Sequence, residues 1–184
     1  MEGEPTPKKT LQPGDTDLAK DVDPVRMEMY LQELRDRQNL SLALLAALFA
    51  AAVGAAAWAA VTVLTKREYA VLAIGVGFLV GICVRTAGRG IDKVYGAIGG
   101  LFALLGVVAG KLAAAVVLIS QKTGAPLKQV SKLLDLNLIF TILKQTFSVI
   151  DILFYVVAIF VGYKYAIKAI PAADLLKMKK ESVG

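Results

Sequence analysis

Residues 40–64 read LSLALLAALFAAAVGAAAWAAVTVL, without one charged side chain. A helix crossing the roughly 30 Å hydrocarbon layer of a bilayer needs about 20 mainly apolar residues. Nothing else in the chain limits the fold so tightly, because such a run in lipid must satisfy its backbone polar groups internally, as a helix. Comparable runs recur at 69–84 (YAVLAIGVGFLVGICV), at 94–120 and at 147–166 (FSVIDILFYVVAIFVGYKYA). The expected fold class is an all-α polytopic membrane protein with four transmembrane helices plus amphipathic interfacial helices. Charge segregation agrees: 57% of the 184 residues are hydrophobic, and the charged 20% collect in the first forty or so positions, the short loops and the C-terminus.

The flanking segments have their own signatures. Residues 1–23 are polar, with Pro5, Pro7 and Pro13 and both signs of charge, and are expected to be disordered. They lack the basic start and apolar centre of a signal peptide, so this segment is expected to be retained. Asp23-Pro24 is a helix start, and 24–39 carries Val25, Met29, Leu31 and Leu34 among charges, an amphipathic helix suited to the membrane surface. The connection Lys66-Arg67-Glu68 is so short that the first two spans must be antiparallel neighbours, and Trp58 reads as an interfacial anchor. QKTGAP breaks the third run, and 124–145, with Lys128, Lys132, Asp135 and Lys144, reads as an interfacial or re-entrant helix. Residues 171–184 form a basic tail.

Lys and Arg near the span ends set the orientation. Arg35, Arg37, Arg85, Arg89, Lys93, Lys164 and Lys168 fall on one side with the lysines of the tail, outnumbering Lys66, Arg67, Lys122, Lys128, Lys132 and Lys144 on the other. Both termini are therefore expected in the cytoplasm. The net charge of +6 fits cytoplasm-facing loops and anionic phospholipid better than nucleic acid. No His and a single Cys, Cys83, leave no expected metal, cofactor or Cys/His nucleophile pair.

Glycines mark close helix contacts. Gly77/Gly81 form one GxxxG pair, and Gly96/Gly100 and Gly106/Gly110 repeat the device on the third run. These faces are expected to pack on each other or on another subunit.

AWAAVTVLTKREY, AIGVGFLVGICVRTAGRGIDKVYGAIGG and LLGVVAGKL over about 57–112, then FSVIDILFYVVAIFVGYKYA, form a specific pattern. In these residues the sequence resembles a family of uncharacterised bacterial four-helix inner-membrane proteins. The resemblance covers roughly half the chain and implies a four-helix protein of the bacterial inner membrane with no known activity. At Lys111 the resemblance leads us to expect a small polar residue such as Asn instead.

Two groups of residues are candidates for function. Lys111 and Asp151 are charges inside apolar runs, at similar depth in the outer half, with Tyr155 one turn from Asp151. They suit an ion or proton pathway, or a structural ion pair, and the absence of further acids in relay favours the structural pair. The turn RTAGRGIDK brings Arg85, Arg89 and Lys93 together as anionic-lipid contacts. Its plainer reading is a positive-inside loop in which Asp92 caps the third span and pairs with Arg89. It lacks the GxxxxGK[ST] arrangement of a nucleotide loop. Ser120, Thr141 and Ser148 have no base beside them, so no enzyme is expected. The expected function is a non-catalytic integral membrane module, an assembly or scaffold element that packs with itself or a membrane partner through Gly/Ala-rich faces. A subunit of a larger complex, or a small channel or transporter using Asp151 and Lys111, is the alternative.

Overall fold

The computed structural model describes residues 24–67, 69–132, 141, 144 and 149–170. The described chain is all-α and holds no strand. The helices are α1 (Pro24–Asp36), α2 (Leu40–Thr65), α3 (Leu72–Gly88), α4 (Lys93–Thr123), α5 (Leu127–Lys132) and α6 (Val149–Ala166). Two of them, α2 and α4, are long and apolar enough to cross a membrane, and α3 is apolar but shorter. The segments expected at 1–23 and 171–184 lie outside the described residues. Of 124–145, residues 124–132, which include α5, and the helical Thr141 and Lys144 are described, and the rest lies outside.

Side-chain size sorts the four long helices. The buried face of α2 is Ala43, Ala47, Ala50, Ala51, Gly54, Trp58 and Thr62, a helical spacing of mostly small residues. Its large side chains point the other way: Leu45, Leu48, Phe49 and Val53 are exposed. Helices α3 and α4 form the central pair, and α2 and α6 each pack on both. Helix α2 runs parallel to α4, with Ala51 facing Gly106 and Trp58 facing Gly110. Helix α6 runs antiparallel to α4 and parallel to α3, with Gly162 against Gly99 and Ala158 against Gly77.

The glycine faces are not where the sequence alone put them. Gly77 and Gly81 of α3 and Gly96 and Gly100 of α4 do not meet each other; both pairs receive α6. A Cβ on Gly77 would run into the Ala158 carbonyl, and one on Gly96 into the Tyr163 ring. Gly106 and Gly110 instead receive Ala51 and Trp58 of α2, and Gly106 also touches Val76 of α3. The glycines are thus used within the chain, letting backbones approach where a methyl group would hold them apart.

Three further expectations are corrected. Trp58 is not an interfacial anchor: it is buried on the backbone of Gly110. Asp92 precedes α4 but makes no capping hydrogen bond with its side chain, and its carboxylate pairs with Arg35 at 3.4 Å rather than with Arg89. The second span expected at 69–84 is a helix shifted along the chain, starting at Leu72 and passing Val84. The Thr86 hydroxyl donates back to the Ile82 carbonyl, and the helix continues to Gly88, where Arg89 ends it in the left-handed region at φ 51°.

Candidate functional site

Lys111 and Asp151 meet. Lys111 lies on the side of α4 that faces α6, one turn beyond the fully buried Val107 and two beyond Ala103. Asp151 sits in the first turn of α6, where a carboxylate is favoured by the positive end of the helix dipole. The antiparallel pairing of the two helices brings the start of α6 level with Lys111 in the interior of α4: Lys111 Nζ donates to Asp151 Oδ2 at 2.9 Å. The lysine side chain is 1% exposed and the aspartate 13%. A charged lysine at that depth is tolerable only beside an opposite charge, because each ion alone loses several kcal/mol, order of magnitude, of hydration. Tyr155, one turn along α6, is buried as well.

Two polar groups on the buried face of α2 were not legible as such. Thr62, on α2, is as deeply buried as Lys111, and its hydroxyl has no hydrogen-bond partner among the described residues. The Trp58 indole N–H, one turn earlier on the same face, is likewise unpaired there. The signal that would have found both was the spacing Ala47, Ala51, Gly54, Trp58, Thr62, a single helical stripe that ends in polar groups. Trp58 rests on Gly110, the residue before Lys111, which puts the indole at the same level as the ion pair.

The second candidate group surrounds the α3–α4 turn, residues 89–92, where three parts of the chain converge. Asn39, whose side chain accepts from the Leu42 N–H to cap α2, donates its own N–H to the Gly88 carbonyl. Lys168, just past α6, donates its N–H to the Gly90 carbonyl at 2.9 Å. Arg35, at the end of α1, reaches Asp92. The Tyr95 ring lies directly over Gly90 and Gly88, so neither position has room for a side chain. Of the sequence-derived candidates, Arg85 is half-buried while Arg89 and Lys93 are exposed. Lys168 joins them through the backbone hydrogen bond.

No group of three or more His, Cys, Asp or Glu side chains that could hold a metal ion occurs among the described residues. No family model, curated protein or solved structure matches the chain.

Proposed function

We propose that this chain is a non-catalytic, four-span membrane module, a helix bundle that serves as a scaffold or subunit in the bacterial inner membrane with both termini in the cytoplasm. The observation that carries the reading is the reversed distribution of side-chain size. Alanine, glycine and valine make up most of the interior, with Trp58, Tyr95 and Tyr155, and no Leu, Ile, Phe or Met among the described residues is buried, while Leu45, Leu48, Phe49, Leu101, Leu105, Leu153, Val156 and Phe160 face outward. A domain in water puts its large apolar side chains inside; helices in lipid gain nothing from doing so and associate through small residues. On this reading α3 and α6 complete the set of spans begun by α2 and α4, each about 26 Å long at 1.5 Å per residue, and Arg85 and Lys164 extend their reach by snorkelling.

Assembly with a partner falls to the faces the bundle leaves open. The internal glycines are occupied, but Ala52, Ala56 and Ala60 form an exposed small-residue row on α2. Single cysteines at positions 56 and 153, in a chain carrying Cys83→Ala, test this in vesicles. Oxidative crosslinking between copies at 56 but not at 153 is expected of a module that meets its own kind along α2. Equal crosslinking at both, or its loss on dilution with lipid, counts against self-assembly. Failure of the chain to stay in alkali-washed membranes would defeat the membrane reading as a whole.

A transport reading is favoured by one observation, the buried pair at the level of Trp58, whose indole N–H, like the Thr62 hydroxyl one turn on, has no hydrogen-bond partner among the described residues. Asp151→Asn separates the two: flux lost from an intact bundle supports transport, and loss of the bundle itself supports a structural clasp.

A further inference from the structure

We propose that Arg85, Arg89, Lys93 and Lys168 form one binding site for the phosphate of an anionic phospholipid, centred where α6 leaves the groove between α3 and α4. The inference rests on the membrane reading above and goes beyond it by assigning a specific site and a member, Lys168, that sequence reasoning left out of the candidate group.

Three faces converge there. Gly81 of α3 packs on Tyr165, Gly162 and Ala166, so Arg85, one turn further, lies on the side of α3 that receives the chain near Ala166. Gly96 of α4 packs on Tyr163 and Ile167, so Lys93, nearly one turn earlier, lies on the side of α4 that receives the same stretch. Lys168 lies in that stretch, held by its N–H to Gly90, and Arg89 is the neighbour of Gly90 in the turn. The one acid of the turn, Asp92, is engaged by Arg35. None of the four cations is paired with an acidic side chain among the described residues. Like charges gathered this way repel one another, and a phosphate between them relieves the repulsion.

Position decides what brings the phosphate. Tyr163 and Tyr165, at 36% and 40% exposure, flank the exposed Lys164 in the last turn of α6. Tyrosines and a lysine so placed mark the headgroup layer, which puts the four cations at the depth of lipid phosphates rather than in the open cytoplasm. Residues 171–184 carry three lysines against Asp174 and Glu181, so that segment does not complement the site. Residues 1–23 carry six carboxylates against three lysines and are the competing occupant within the chain.

The test uses the full chain in phosphatidylcholine vesicles with and without phosphatidylglycerol, released into mild detergent for native mass spectrometry. The wild-type protein is expected to retain phosphatidylglycerol over phosphatidylcholine. Arg89→Asn with Lys93→Gln and Lys168→Gln removes three charges; Asn accepts the left-handed backbone at position 89. With each cation accounting for a roughly five-fold difference in occupancy, retention falls by up to about a hundred-fold. The exchange Lys93→Arg with Lys168→Arg keeps it, and so does a control at the far end, Lys66→Asn with Arg67→Gln. Trp58 emission reports that each variant is folded. Equal retention in the triple variant and the far-end control overturns the site, as does carbodiimide crosslinking of Lys93 or Lys168 to the carboxylates of 1–23 in place of lipid retention. A protein washed out of the vesicles by alkali instead refutes the membrane reading on which the site rests.

Discussion

Consider the removal of one member of the Lys111–Asp151 pair. In Asp151→Leu the carboxylate 2.9 Å from a lysine only 1% exposed is gone, and the buried ammonium loses that counter-charge. Breaking a buried pair from one side costs about 3–5 kcal/mol. Lys111→Met leaves an aspartate that is 13% exposed and held in the first turn of α6, where the helix dipole offsets part of its charge by roughly 1 kcal/mol. The lysine variant is therefore expected to lose less than the aspartate variant. The double variant Lys111→Met/Asp151→Leu removes both desolvation costs and is expected within about 1 kcal/mol of the wild type, or above it. The two changes thus offset each other by several kcal/mol in a double-mutant cycle, far outside the roughly 0.3–0.5 kcal/mol scatter of independent sites. Reversible unfolding in mixed micelles, with rising dodecyl sulfate, measures each corner of the cycle. Trp58 is the sole tryptophan and is 3% exposed, so its emission follows the bundle opening without any label. Additive losses in the double variant would refute the clasp and place the cost in packing.

Other perturbations read other parts of the structure. Gly77→Ala drives a methyl group into the Ala158 carbonyl and is expected to cost about 1–3 kcal/mol, whereas Gly75→Ala meets nothing within 4 Å and gains up to about 1 kcal/mol of helix propensity; the same micelle titration compares them. Lys66 ends α2 in the left-handed region at φ 54°, so Lys66→Gly is expected to stabilise by about 1 kcal/mol, seen as a later unfolding midpoint. Trp58 emission is expected to be blue-shifted and insensitive to quenchers carried on lipid headgroups; strong quenching would return it to the interface.

Much of this architecture could be read from the chain, and what could not be read has a common cause. Lys111 and Asp151 were legible as a pair because a charge in an apolar run demands an opposite charge at its own depth, and depth follows from residue count. The glycines were legible as contact points, but a GxxxG face carries no information about which helix fills it. Here α6 returns antiparallel to α4 and occupies both the Gly77/Gly81 and the Gly96/Gly100 faces, a consequence of topology set by residues far along the chain. Trp58 shows the same gap in another form. Its place near the end of an apolar run matches an anchor, and only the vacant backbone of Gly110 on a different helix makes room for it inside.

Lys168 marks where local reading stops. It lies beyond the last helical turn, between the exposed Lys164 and the tail, and in sequence it is one more lysine in the positively charged C-terminal stretch. One backbone hydrogen bond to Gly90 gives it a particular neighbourhood. That bond needs the Gly90 carbonyl presented outward, which follows from Arg89 reversing the chain at φ 51° and from Tyr95 pinning the turn from above. The cations of the α3–α4 turn and of the α6 end, distant in sequence, therefore belong to one locus only because a glycine leaves room for a tyrosine ring. A side chain at position 90 should then scatter the four cations while leaving each of them in the chain. Gly90→Ala is expected to lower phosphatidylglycerol retention with no charge removed, and unchanged retention in a folded Gly90→Ala protein would mean that summed charge, not the geometry of the turn, holds the lipid.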